Sequence, residues 1–137
     1  MVPRQVSAGF GRQRHVTVSR KIVTVSRSRK RYLTYKEHAR AVVHTRIGEA
    51  NEYYQLPLHK IFIKNHKARW GSCSERGNLN FNYRIVFLPP HLQTYVVVHE
   101  LCHLMYFNHS PAFWALVAET LPNYKVYRRE IRRIRLH

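Results

Sequence analysis

The sequence predicts an α+β domain: a helix, a small antiparallel sheet, a central buried helix and then C-terminal helices. Three observations predict it. Apolar residues recur at helical spacing over 34–54. Two runs of strand-forming residues follow within 60–88, separated by a Gly-containing connection. Residues 92–107 are then apolar almost all round, the pattern of a helix buried in a core. The chain has 137 residues, 45% of them hydrophobic. That suffices for one ordinary domain with one core.

The first helix is expected to start at Thr34, which forms a T-x-x-E capping box with Glu37. Its apolar face is Ala39, Val42, Val43, Ile47, Ala50 and Tyr54, and Pro57 ends it. "HKIFIKNHKARW" reads as a strand. "GSCSERGN" reads as a connection, with Gly71 and Gly77 suited to positive φ. In "NLNFNYRIVFL", Leu79, Phe81, Tyr83 and Ile85 alternate with Asn78, Asn80, Asn82 and Arg84, the signature of a half-buried strand. The two strands are expected to pair antiparallel.

Pro89-Pro90 opens the central helix, because proline is tolerated in a first helical turn. This helix is expected to reach Phe107. Ser110 as N-cap and Pro111 at the first position start the next helix, which Pro122 stops. A last amphipathic helix turns Tyr124, Tyr127, Ile131 and Ile134 inward and a basic face outward.

Residues 1–33 read as a basic arm ahead of a domain over 34–137. The arm holds nine Lys or Arg and no acid. Within it, "HVTVS" and "IVTVS" can pair as a short hairpin around Arg20-Lys21; the rest is expected to be irregular. The whole chain has 24 Lys and Arg against seven Glu and no Asp, a net charge of +17. Such a balance favours polyanionic partners, nucleic acid first. No apolar run is long enough for a membrane span, and the N-terminus lacks the apolar core of a secretory signal. Cys73 and Cys102 make no disulfide framework, and free thiols suit a reducing cytoplasm.

Only His99, Glu100 and His103 interrupt the apolar central helix. Their spelling is H-E-x-x-H, which chance would produce about 0.04 times in a chain of this composition. The two histidines stand at i and i+4 on one face, close enough to chelate one ion. Glu100 then reaches a water at that ion without being a ligand, the arrangement of metal-assisted hydrolysis with a general base. Two imidazoles and a carboxylate on a buried helix are costly without a metal or a wet cleft.

A third ligand is needed. His109 lies ten residues after His99, an offset shared with metzincins, although Tyr106 stands where that class has its turning Gly and no Met-turn follows. Asn108, tolerant of the left-handed conformation, is the expected pivot that swings His109 back. The rival is Glu119, which reads better as an exposed helical residue. Arg69, Asn80 and Asn82 are candidate walls of a substrate cleft at a sheet edge, against the plainer reading of a solvated strand face. Tyr106 and Tyr124 are possible oxyanion donors, though packing explains each as well. Arg128, Arg129, Arg132 and Arg133 on the last helix are candidate contacts to nucleic acid.

Arg69-Trp70-Gly71-Ser72-Cys73, the run Tyr95–His103, and Asn108-His109-Ser110 followed by Phe113-Trp114 together resemble the YgjP-like metallopeptidase domain, over roughly residues 34–130. The resemblance implies a compact zincin-like α+β domain with one zinc ion on His99, His103 and His109 and with Glu100 as catalytic base. It also implies kinship with SprT-like peptidases, some of which act on proteins bound to DNA. Longer members of the family carry a β-rich N-terminal portion where this chain has its basic arm. The expected function is therefore a zinc metallopeptidase acting on peptide or protein substrates. Two alternatives stand beside it. One is a basic nucleic-acid-binding module, which would recruit the peptidase to nucleoprotein. The other is a structural zinc domain without turnover, against which the presence of Glu100 argues.

Overall fold

A computed structural model describes residues 15–18 and 21–136. The chain divides into two units, Met1–Thr34 and Tyr35–His137. In the first, β1 (His15–Val18) and β2 (Lys21–Thr24) pair antiparallel, His15 opposite Thr24 and Val18 opposite Lys21. The two runs expected to pair do so; Ser19, Arg20 and residues 1–14 of the basic arm lie outside the described residues.

The first helix, α1 (Arg27–Tyr54), begins seven residues earlier than the capping box suggested. Ser26 is the true cap, its Oγ accepting the Arg29 amide at 3.1 Å. Thr34 instead donates its hydroxyl back to the Lys30 carbonyl at 2.9 Å, a bond made inside a helix. The basic run 27–31 is thus helical rather than irregular, in keeping with the good helix propensity of Arg and Lys.

In the second unit, α1 buries Ala39, Val43 and Ile47. Gln55 ends it in the left-handed region, at φ 53°. Asn51 holds this end by exchanging two bonds with the backbone of Leu56, at 2.8 and 3.0 Å. The sheet contains β3 (Ile61–Lys64), β4 (Gly71–Cys73) and β5 (Leu79–Asn82) in the order β3-β5-β4. It is mixed, not purely antiparallel. β3 runs parallel to β5, with Ile61 opposite Leu79, and β4 runs antiparallel to β5, with Gly71 opposite Phe81.

The reason is that "GSCSERGN" is more than a connection: it supplies β4 and a tight turn at Gly77, φ 86°. β3 and β5 thereby point the same way with β4 returning between them in sequence. The expected long strand also stops at Asn82, and Tyr83–Phe87 coils into a 3₁₀ turn. Leu79, Phe81, Tyr83 and Ile85 are buried as the alternation required, but so are Asn82 and Arg84. Asn82 donates to the carbonyls of His66 and Arg69, at 2.7 and 2.9 Å, which pins the chain reversal before β4.

The central helix α2 (Pro90–Cys102) buries Leu92, Val96, Val97, Val98, Leu101 and Cys102. It ends at Cys102 rather than Phe107, because turns at 103–105 redirect the chain. α3 (Pro111–Ala118) starts as expected, with Ser110 Oγ accepting the Phe113 amide at 3.3 Å. α4 (Tyr124–Arg132) buries Ile131 and half-buries Tyr124 and Tyr127. The architecture is α+β, with α3, α4 and β4 all packed on α2. No helix among the described residues is long and apolar enough to cross a membrane.

Candidate metal centre

His99 lies in the last turn of α2 and His103 is its C-cap residue. His109 comes from the corner before α3. The three Nε2 atoms form a near-equilateral triangle: 3.2 Å from His99 to His103, 3.2 Å from His103 to His109 and 3.1 Å from His109 to His99. Three imidazoles converging on one point offer lone pairs to a cation. Tetrahedral ligands at about 2.0–2.1 Å would stand about 3.3–3.4 Å apart, so the triangle fits a divalent ion. Among the described residues these histidines are the one group of His, Cys or Glu so arranged.

The surroundings prepare them as ligands. His103 Nδ1 lies 2.8 Å from the Tyr106 carbonyl. Donation there fixes the tautomer and leaves the Nε2 lone pair free. Burial, reinforced by the neighbouring His103, His109 and Arg128, pushes His99 down to about 3. Burial also lowers His103. Both shifts favour the neutral imidazole, the form that can ligate a metal. His99 Nδ1 is buried with no partner, and such an orphaned atom is costly where nothing repays it.

Aromatic packing from α3 fixes the ring planes. His103 stacks on Phe113 at 4.3 Å and His109 on Trp114 at 5.7 Å, while Phe113 meets His99 edge-on at 5.0 Å. This corrects the expected pivot. Asn108 is not left-handed; among the described residues Gln55 is the non-Gly residue with positive φ. The corner comes instead from the early end of α2, the Tyr106 carbonyl and the indole of Trp114. Glu119, the rival ligand, is exposed and accepts a hydrogen bond from the Tyr53 hydroxyl at 2.9 Å, outside the triad.

Glu100 is 6% exposed and faces the same cavity as His99 and His109. Burial pushes its carboxyl up to about 8, and the charge of Arg69 offsets part of that shift. Gly71 packs directly against it. A Cβ at Gly71 would lie 2.9 Å from Glu100 Cγ and 3.0 Å from the Asn80 carbonyl. Close approach, not the positive φ expected from sequence, is what this glycine provides.

The cavity encloses about 260 Å³ between α2, α4 and β4. Trp70, Val96, Trp114 and Ile131 form its apolar wall, and Tyr95, Arg128 and Arg132 its polar one. Arg69, Asn80 and Asn82 are not among its lining residues. Asn82 is fully buried in the bonds given above, Asn80 donates to Ser72 Oγ at 3.2 Å, and Arg69 is exposed. Tyr124 stacks on Trp114 at 4.8 Å. Sequence reasoning missed Tyr95. It stands one turn before His99, their rings 5.9 Å apart, and burial raises its hydroxyl to about 12. The i, i+4 relation to His99 was the available signal.

The family model of the YgjP-like metallopeptidase domain matches residues 5–134. The chain belongs to this family. Membership implies a divalent metal and hydrolysis of peptide or protein substrates, and the histidine triad is a site that can hold such an ion. Among solved structures, this YgjP-like chain is similar to the metallopeptidase zymogen of Pyrococcus abyssi abylysin, with a TM-score of 0.59 and 26% identity. The match covers 65% of this chain and 90% of that one. No curated protein matches the sequence.

Proposed function

We propose that this protein is a zinc-dependent peptidase, with His99, His103 and His109 as the ligands and Glu100 as general base. The observation that carries this reading is the triangle of imidazole nitrogens opening onto a cavity that also receives Glu100. Zinc, when bound, supplies Lewis-acid polarisation of the scissile carbonyl and lowers the pKa of water. A cation among the three imidazoles also favours the ionised form of Glu100, drawing its pKa back down toward a value suited to a base near neutral pH. Glu100 takes the proton from the attacking water and returns it to the leaving amine. β4 is an edge strand of the sheet and carries Gly71 at the cavity, so an extended substrate can lie along it by strand addition. An accessible cavity at the triad also favours catalysis over a structural site, which closes its fourth position.

The test is metal analysis and peptidase assay of the purified protein. We expect about one zinc per chain, the number an open three-ligand site takes. His109→Ala should lose it and Glu119→Ala should keep it. Glu100→Gln should retain zinc and lose cleavage. Metal lost in Glu119→Ala, or cleavage retained in Glu100→Gln, sinks the reading.

The charge of +17 and the exposed Arg129 and Arg133 on α4 favour an added role in binding nucleic acid, bringing the peptidase to nucleoprotein. Such binding should weaken steeply between 50 and 200 mM salt, roughly in proportion to the phosphates contacted.

A further inference from the structure

The four arginines of α4 that the sequence grouped together separate into two pairs. Arg129 and Arg133 are exposed and line neither cavity, whereas half-buried Arg128 and exposed Arg132 line the cavity beside the triad. One turn apart, they share a face of the helix. The Arg128 guanidinium lies over the Trp114 ring, 4.8 Å from its centroid. Such stacking holds the guanidinium by its face and leaves its edge N–H donors available. Neither arginine is paired with a carboxylate among the described residues. Glu130, the acid of the same helix, is engaged by His91 at 2.9 Å.

The rest of the chamber sharpens these charges. Its apolar wall lowers the local dielectric, which strengthens a guanidinium–carboxylate contact relative to water. A second cavity of about 450 Å³ adjoins the first and shares Trp70, Ile131 and Arg132 with it. Lys67 and Arg135 line this extension. Across both cavities the one acidic lining residue is Glu100. A groove leading away from the metal centre is thus cationic along its length, with two guanidinium groups nearest the reacting end.

Resting on the peptidase reading, we infer that Arg128 and Arg132 form a carboxylate-binding subsite, which selects substrates carrying an acidic group beside the scissile bond. A planar guanidinium matches a carboxylate with two parallel hydrogen bonds, and this adds direction as well as attraction. The carboxylate can come from a Glu or Asp side chain or from the free C-terminus of the substrate. The extension past Arg132 gives room for a chain that continues, which favours the side chain.

Binding and cleavage test this separately. Alanine octapeptides with a fluorescein label, each carrying one Glu or one Gln at successive positions, are made with free and amidated C-termini. Their affinities are measured by anisotropy on zinc-loaded Glu100→Gln protein, and their kcat/KM on the wild type. We expect the Glu peptide to be favoured about tenfold over its Gln counterpart in one register, the scale of a charge-assisted bidentate contact. In Arg128→Gln and in Arg132→Gln that ratio should fall to near unity, chiefly through KM. Arg128→Lys, which keeps the charge, should restore part of it, and Arg132→Glu should shift preference toward a Lys peptide.

A preference that follows the free C-terminus rather than the Glu position assigns the subsite to a terminal carboxylate. Preferential binding without cleavage upholds the subsite and defeats the peptidase reading. Cleavage with equal use of Glu and Gln peptides, whatever the C-terminus, overturns the subsite alone. It is overturned equally if the arginine variants weaken binding of an oligothymidylate and leave the peptide ratios unchanged, since the pair would then serve phosphates.

Discussion

Among the described residues, two clusters of polar side chains are largely buried, and they are built oppositely. The first surrounds Arg84, which is 5% exposed. Its Nη1 donates to Asn65 Oδ1, the His66 carbonyl and Asn82 Oδ1 at 3.0–3.2 Å, and its guanidinium lies 4.6 Å from the Tyr83 ring centroid. Asn82 uses both sides of its amide, Nδ2 donating to the carbonyls of His66 and Arg69 and Oδ1 accepting from the Arg84 amide. Donors meet acceptors, and the protein satisfies itself. The second cluster is His99, Glu100 and His103. There, like groups converge on one another, one ring nitrogen is orphaned, and burial shifts both His99 and Glu100 toward their neutral forms. A structural polar cluster closes its hydrogen bonds internally, whereas a functional one keeps valence for something from outside.

Breaking the closed cluster should have the largest effect on stability. Arg84→Ala removes several charge-assisted bonds and strands the acceptors of Asn65 and Asn82, for a loss of about 4 kcal/mol in denaturant unfolding. A loss under about 1 kcal/mol, the size of a single surface contact, would mean that the cluster is not closed after all.

The open cluster should respond the other way. In metal-free protein, Glu100 holds a proton up to about pH 8 when folded, while the unfolded chain releases it near the ordinary carboxyl value of 4.5. The folded state binds more protons across that window, so stability falls as pH rises through it. Glu100→Gln abolishes this dependence. At pH 8 the metal-free variant should be more stable than metal-free wild type by roughly 4 kcal/mol, and the gain should vanish near pH 4. An equal gain at both pH values would show that desolvation of this carboxylate is not the cause.

Gly71→Ala probes the contact between the sheet and Glu100, the proposed base. Its Cβ would force Glu100 or the β5 backbone to move, an overpacking effect of about 1–2 kcal/mol. Cleavage should fall by more than zinc content does, because the proposed ligands come from other elements. Equal loss of both would place Gly71 in the general packing of the centre rather than at its base.

The His99–His103 pair was legible because helical spacing alone puts i and i+4 together, and the ten-residue offset pointed to His109 as the third member of the triad, although not through the Asn108 pivot expected for it. What was not legible is equally physical. Alternation in "NLNFNYRIVFL" reports which residues are buried, but not the direction of a neighbouring strand. The parallel pairing of β3 with β5 therefore escaped it. The end of α2 escaped too, since Leu104 to Phe107 continue the apolar run and only tertiary packing turns the chain. The role of Gly71 depends on a side chain distant in sequence. The division of the α4 arginines depends on where that helix docks.

The three histidines proposed as metal ligands all lie within residues 99–109. An ion bound there closes only short loops, and short closures need little chain ordering and form quickly. The ion can thus be captured as soon as α2 and its corner exist. Glu100 acquires its sheet neighbour only when β4 arrives from earlier in the chain. On the proposed reading, holding the ion and positioning the base are therefore separable: the histidine corner can take up a cation through contacts local in the chain, whereas Glu100 depends on a strand distant in sequence.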